Sequence, residues 1–361
     1  MTSKLYKQSI EIILKNQGRE GGYLASPSFE PYQYCWFRDS SYIAYAMDLA
    51  GQHQSAVRFY NWSANTLNRY SAKLAACINK KQRGETLVKE DFFHCRFHLS
   101  GVETPGNWGN HQLDSLGVWL WAYCRHLELN GKKSAAVINQ EILFLVRDYL
   151  AALWRYPCFD CWEENGEDIH TYTLAAIHAG LASLGKLLED EESTRISNEI
   201  KSYLLIDLVH GGIFKKSQKK NIVDASLISI AVPFSILPAD DLLVKQTIDV
   251  IVRDLGYRNV GLHRFHGDVY YGGGIWILLS AWLGWYYSES GRTSQALDIL
   301  RWITAQAAED GGLPEQLCED LYSQKECKQW RLKWNEPANP LLWSHAMYIL
   351  LYLSLEKSGA L

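Results

Sequence analysis

Two short segments carry the residues best suited to chemistry. "CFDCWEENGED" sets Glu163 and Glu164 side by side after Trp162, and "GGLPEQLCED" sets Glu315 just past a proline. Breaking a glycosidic bond needs one carboxylic acid to protonate the leaving oxygen and one carboxylate to activate water or attack the anomeric carbon. Mutual repulsion, the apolar face of Trp162 and partial burial would raise the pKa of one of the adjacent glutamates toward that of a working acid. Taken alone, the pair reads equally as solvated loop glutamates. Its company favours chemistry: Tyr34, Trp36, Arg38 and Asp39; Trp108, His111, Gln112 and Asp114; Arg264, Asp268, Tyr270 and Tyr271; Gln316, Trp330 and Trp334 repeat the same mixture. Flat aromatic faces beside amide, carboxylate and guanidinium groups suit a sugar, with its C–H faces and rim of hydroxyls.

Something must bring these distant groups together. Apolar periodicity predicts helix after helix and almost no alternating strands, over 3–16, 40–50, 54–79, 112–130, 134–154, 169–188, 192–206, 225–236, 242–254, 274–288, 292–308 and 340–357. Odd helices are followed by long loops rich in Gly, Pro and aromatics, and even ones by short turns. Of the nine prolines, Pro27, Pro31, Pro105, Pro157, Pro314, Pro337 and Pro340 lie in the long loops, where a preset extended backbone is tolerated. Even helices, such as "IWILLSAWLGWYY", carry little charge and must be enclosed, whereas the charged stripes of the odd ones face water. Six inner and six outer helices in alternation describe an all-α toroidal barrel. With no linker or change of composition, residues 1–361 read as a single domain.

The long loops then gather at one end of the ring and feed the N-termini of the inner helices. There, unpaired backbone N–H groups and the helix dipole favour carboxylates and ligand oxygens. Asp39, Asp114, Asp168, Asp224, Asp268 and Asn339 fall at these points. Each singly suits an N-cap; six converging on one end build a cleft.

The bulk numbers narrow the partner. With 47% hydrophobic residues in 361, the chain can bury a large core, and a net charge of −4 argues against nucleic acid or an anionic membrane, which need a dense basic patch. A small, neutral partner is expected, and neither cofactor nor oligomeric state is specified. The N-terminal "MTSKLYKQSIEIILKNQ" lacks the pattern of a secretory signal, so a cytoplasmic protein with reduced cysteines is expected. Cys158 and Cys161 have a metal-like spacing, but no second pair answers it, and no calcium constellation stands out. Residues 269–288 carry no charge, yet Gly272, Gly273 and Gly274 interrupt them. The remaining helix would rise only about 20 Å against a hydrocarbon core of about 30 Å.

In order along the chain, "SFEPYQYCWFRDSSYIAYAMDLAG", "GNHQLDSLGVWLWAY", "WEENGEDIHTYTLAAIHAGL", "HRFHGDVYYGGGIWILL", "GGLPEQ" and "ANPLLWSHAMYIL" resemble the blocks of glycoside hydrolase family 15, the glucoamylases, glucodextranases and related α-glucosidases. The match runs over roughly residues 22 to 352. It is weak only around "GGIFKKSQKKNIVDAS", whose role stays open. The resemblance implies an (α/α)6 barrel and single-displacement hydrolysis at the non-reducing end, releasing β-glucose. It implies Glu163 as general acid and Glu315 as general base, with Arg38 and Asp39 gripping the far hydroxyls of the terminal glucose and Arg264 its other rim. Glu164 resembles a hydrogen bonder near the leaving sugar, and Trp36, Trp108 and Trp162 resemble walls; Asp114 and Tyr271 complete the expected binding set. Inversion expects the two carboxyls roughly 6.5–9.5 Å apart. The β-sandwich and starch-binding modules of many members have no counterpart in this sequence, so short malto- or isomalto-oligosaccharides are expected rather than raw starch.

Two other readings stay open. Sugar epimerases and lyases on helical barrels use His or Tyr as acid and base, and His111, His170, His263, His266 and His345 lie near the inner-helix ends, although His170, His178 and His345 also read as core residues. A barrel of this type can also serve as a non-catalytic sugar-binding module.

Overall fold

A computed structural model describes residues 2–131 and 140–361. Among them thirteen α-helices follow in order: α1 (Thr2–Lys15), α2 (Phe37–Leu49), α3 (His53–Arg69), α4 (Ser71–Gln82), α5 (Leu113–Asn130), α6 (Gln140–Leu153), α7 (Thr171–Leu188), α8 (Glu191–Asp207), α9 (Leu242–Leu255), α10 (Ile277–Glu289), α11 (Thr293–Gln306), α12 (Gln324–Trp334) and α13 (Leu342–Lys357). The charge-poor segments close an inner ring: α2 packs on α5, α5 on α7, α7 on a 3-10 helix at Ala225–Ile230, that helix on α10, α10 on α13, and α13 back on α2. Around it, α1 leans on α11 and α13, α3 on α2, α6 on α5, α8 on α7, α9 on the 3-10 helix, and α11 on α10.

The division follows from the side chains. Every residue of α10 from Ile277 to Ser288 is buried, as an all-apolar helix must be. α9 buries only Val244, Thr247, Ile248, Ile251 and Leu255, one stripe at i, i+3, i+4 spacing. At 13 residues α10 is too short to span a bilayer, and no described helix is long and apolar enough to do so.

The helical barrel expected from the periodicity is present, with three differences. The segment expected as one helix over 54–79 breaks at Tyr70 into α3 and α4, which lets α4 swing onto α6. The expected α-helix at 225–236 is a 3-10 helix instead, because Pro233 lacks the N–H that would continue an α-ladder and pushes Val232 out of helical backbone. α12 was not expected: it buries only Cys327 and so has no apolar stripe to betray it. Its start was nonetheless written in the chain, since Ser323 accepts from the backbone N–H of Glu326 in a Ser-x-x-Glu pattern. The expected helix at 134–154 is seen from Gln140; 134–139 lies outside the described residues.

Short strands tie the loops at the ring's mouth. Cys35–Trp36 pairs antiparallel with Arg96–Phe97, and Gly256–Tyr257, Gly261–Leu262, Ile275–Trp276 and Gln316–Leu317 form a four-stranded ribbon. The three glycines ahead of α10 make this ribbon possible. Gly272 and Gly273 turn with φ of +80° and +71°, and a Cβ on Gly274 would stand 2.0 Å from the Leu317 carbonyl oxygen.

Candidate active site

The loops meet around a cavity of about 500 Å³ at this mouth. Trp36, Arg38, Asp39, Trp108, Trp162, Glu163, Glu164, Arg264 and Glu315 all line it, so most of the residues singled out in the sequence converge. They are joined by Phe29, Tyr32, Tyr270, Trp276, Leu278, Trp330, Lys333, Trp334 and Trp343.

Glu163 sits in a tight turn. Its backbone N–H donates to the Asp160 carbonyl, and the Asp160 Oδ1 accepts from the backbone N–H of both Trp162 (3.0 Å) and Glu164 (2.9 Å). Glu163 adopts φ of +67°, a left-handed conformation costing about 1–3 kcal/mol for a side chain of this kind, so the surrounding bonds must hold it. Its Oε1 accepts from the Trp36 indole (2.7 Å) and the Gln112 amide (3.1 Å).

Glu315 is 3% exposed and is pinned by its backbone, which accepts from Ile277 at the start of α10 and donates to Ala338. The Tyr32 hydroxyl donates to its Oε1 (3.0 Å), and its Oε2 has no partner among the described residues. Burial pushes this carboxyl up to about 8, against the opposing pull of the Tyr32 hydrogen bond and Arg264. Trp36 and Tyr32 meet edge to face at 5.6 Å. One glutamate is thus bonded to each of two touching rings.

Arg38 and Asp39 fill the first turn of α2. Arg38 donates to Asp39 (3.2 Å), Gln112 (2.7 Å) and Asp114 (3.1 Å), and burial pushes the Asp39 carboxyl up to about 6 in spite of Arg38. Opposite, Arg264 binds Asp268 through Nε (2.7 Å) and reaches Glu164 (3.2 Å). Burial also raises the Glu164 carboxyl, with Arg264 resisting.

Two expected binding residues stand elsewhere. Asp114 is fully buried beneath Arg38, which takes its Oδ2, and does not line the cavity; it supports the arginine rather than meeting a ligand. Tyr271 is also fully buried outside the lining, stacked on Trp330 at 5.9 Å, and its neighbour Tyr270 takes the cavity position. A φ of +49° at Tyr271 turns the chain so that the two rings part, which alternation of residue types cannot reveal. Of the six polar residues at the inner-helix ends, Asp224 is a cap, accepting from the Ser226 N–H; the N-cap places of α2, α5, α7, α10 and α13 belong to Trp36, Gln112, His170, Trp276 and Leu341.

Tyr32, Trp276 and Trp343 were missed. Trp36 and Trp276 occupy equivalent places, each ending a two-residue strand before an inner helix, a repeat that was available as a signal. The indole N–H groups of Trp108, Trp276 and Trp343 have no partner among the described residues. Buried polar groups are seldom left unpaired, so these three donors and the Oε2 of Glu315 are among the groups free to meet a ligand.

No histidine among the described residues lines the cavity. His111 stacks on Phe92 at 3.6 Å and burial holds it down at about 3; His345, also held at about 3 by burial, bonds to Ser9 and Leu313. Histidine acid–base chemistry therefore has no residue in place. Cys158 and Cys161 are buried free thiols, and no cluster of three or more metal-binding side chains occurs among the described residues.

The model of glycosyl hydrolases family 15 matches residues 1–353. The chain is 36% identical over 358 residues to an isomaltose glucohydrolase of Kribbella flavida, covering 96% of this chain and 91% of that one. It superposes on a substituted glycosidase in complex with glucose with TM-score 0.93 at 35% identity, covering 100% of this chain and 97% of the other. A bacterial glucoamylase complexed with acarbose shares the fold at TM-score 0.73 and 20% identity, with 97% of this chain and 55% of the other covered.

Proposed function

Because the chain belongs to the glycosyl hydrolases of family 15, we propose that it hydrolyses α-glucosidic bonds at the non-reducing end of short isomalto- or malto-oligosaccharides, releasing β-glucose in one displacement. The observation that carries this reading is that Glu163 and Glu315 line one cavity, each with a single oxygen engaged by the protein.

In this reading Glu163 is the acid and Glu315 the base, and the hydrogen bonds are compatible with both roles. Two donors occupy Oε1 of Glu163, which leaves Oε2 to carry the proton given to the leaving oxygen. On Glu315, Tyr32 occupies Oε1 and Oε2 is left to hold and deprotonate the attacking water. A buried carboxyl near 8 is a poor base at neutral pH. A water bonded at Oε2 and the positive charge developing on the sugar both favour the ionised form, so the working value lies lower. Arg38 with Asp39 and Arg264 with Glu164 offer fixed donors and acceptors to opposite rims of the terminal sugar, and the indole N–H groups add hydroxyl partners. The likeness to an isomaltose glucohydrolase places the α-1,6 linkage first among substrates to try.

The test is proton NMR of digests of isomaltose, maltose and soluble starch. β-Glucose first, from the disaccharides, is expected; α-glucose first, or a strong preference for starch, overturns the reading. Glu163→Gln and Glu315→Gln should fold and lose about 10²–10⁴ in turnover.

A further inference from the structure

The segment that resembles the family least, 211–224, is built around one buried cation. The Lys216 backbone donates to Ile222 (2.7 Å) and accepts from Thr171 at the start of α7 (3.1 Å), which fixes its side chain inward. Lys216 is 4% exposed, lies over the Phe265 ring at 3.9 Å, and its ammonium meets Asp224 and Asp160 (3.2 Å), themselves 1% and 3% exposed.

Both carboxylates hold the neighbours of Glu163. Asp160 accepts the backbone N–H groups of Trp162 and Glu164 through Oδ1, and its Oδ2 meets Lys216 and, at 3.4 Å, the Asn165 amide; Asp224 accepts the Trp162 indole (2.9 Å). Glu163 therefore stands, in a left-handed conformation, between two residues fastened to anions that the single Lys216 ammonium bridges. Removing the ammonium would leave two buried carboxylates facing each other uncompensated, which proteins relieve by protonation or movement. We propose that Lys216 is a positioning residue for the Glu163 proton donor. The inference rests on the reading of Glu163 as the acid.

A residue that aims the acid matters only when the leaving group needs a proton. With α-glucosyl fluoride, water bonds to the anomeric carbon, the C–F bond breaks, fluoride departs with the electron pair and the water proton goes to Glu315; no proton from Glu163 is required. Lys216→Met should lower kcat on isomaltose about 10²-fold, the cost of a displacement near 1 Å. On the fluoride kcat should fall less than about tenfold, because the base is untouched, while any KM change, set by Trp162 and Glu164, should be alike for both substrates. Lys216→Arg should recover most of the isomaltose loss. Should the methionine variant fail to fold, Lys216→Gln serves for the same ratio. Equal losses on both substrates, or none, overturn the inference. Glu163→Gln is measured alongside: if it keeps isomaltose hydrolysis, the acid assignment fails; if it shows the selective loss and the Lys216 variants do not, the positioning role alone fails.

Discussion

Replacing the base should make the protein more stable as well as inactive. Burial raises the Glu315 carboxyl from 4.5 to about 8, so the folded state holds a proton that the unfolded chain releases. This contribution is harmless below pH about 4.5, where both states are protonated, and erodes stability as the pH rises from there to about 8. At pH 7 the difference spans some two and a half units, or about 3 kcal/mol at 1.36 kcal/mol per unit. That is an upper figure, since water at Oε2 lowers the folded value. Glu315→Gln has no proton to lose there, so this contribution is absent from it, while those of Asp39 and Glu164 are common to both proteins. With an unfolding entropy of about 2.1 cal/mol/K per residue, 3 kcal/mol in a chain of this length corresponds to roughly 4 °C. The assay is thermal unfolding of both proteins at several pH values between 4.5 and 8, followed by far-UV circular dichroism. The quantity to read is the change in the Tm difference, because the glutamine amide adds a pH-independent offset of its own. The Tm of the variant relative to wild type should climb by a few degrees across the range. A flat difference would refute the claim that the fold bears the burden of a buried carboxyl at this position.

Two further outcomes follow from the same contacts. Tyr32→Phe removes the donor to Glu315 Oε1, so the ionised base loses a hydrogen bond of about 1.5 kcal/mol; the ascending limb of kcat/KM against pH should move about one unit alkaline, and an unmoved limb would show that the contact does not reach the base. Trp276→Phe keeps a ring in the wall but deletes an unpartnered N–H; KM for the disaccharide should rise about tenfold with Tm nearly unchanged, whereas unaltered kinetics would remove this donor from the sugar's partners.

The ring was legible because α2, α5, α7, α10 and α13 are buried nearly all round and their sequences say so. The gathering of Glu163, Arg38, Arg264 and Glu315 followed from alternation of long and short connections. What stayed hidden depends on backbone conformation and long-range pairing. Tyr270 and Tyr271 are chemically alike, and only the left-handed turn decides which meets the cavity. Asp114 looked like Asp39 in composition and position, yet one residue's difference in helical phase drops it beneath Arg38. Tyr32 gave no sign because its partner is 283 positions away. Lys216 lay in the one loop with no block to compare, and its meaning comes from Asp224 at the end of that loop and Asp160 on another.

Counting round the ring, the loop bearing Glu163 leads into the third inner helix and the loop bearing Glu315 lies ahead of the sixth, so the two carboxyls approach from opposite sides. The gauge between them is thus set by the girth of the whole torus, and not by the reach of either loop. A substitution that fattens or slims any inner helix, such as an enlargement of Gly117 where it abuts the backbone of Ala176 and Ile177, would retune the jaws from a distance. Variation in such a protein should accumulate freely on the outer helices and in the rim, while the calibre of the inner six is conserved as a dimension of the reaction itself.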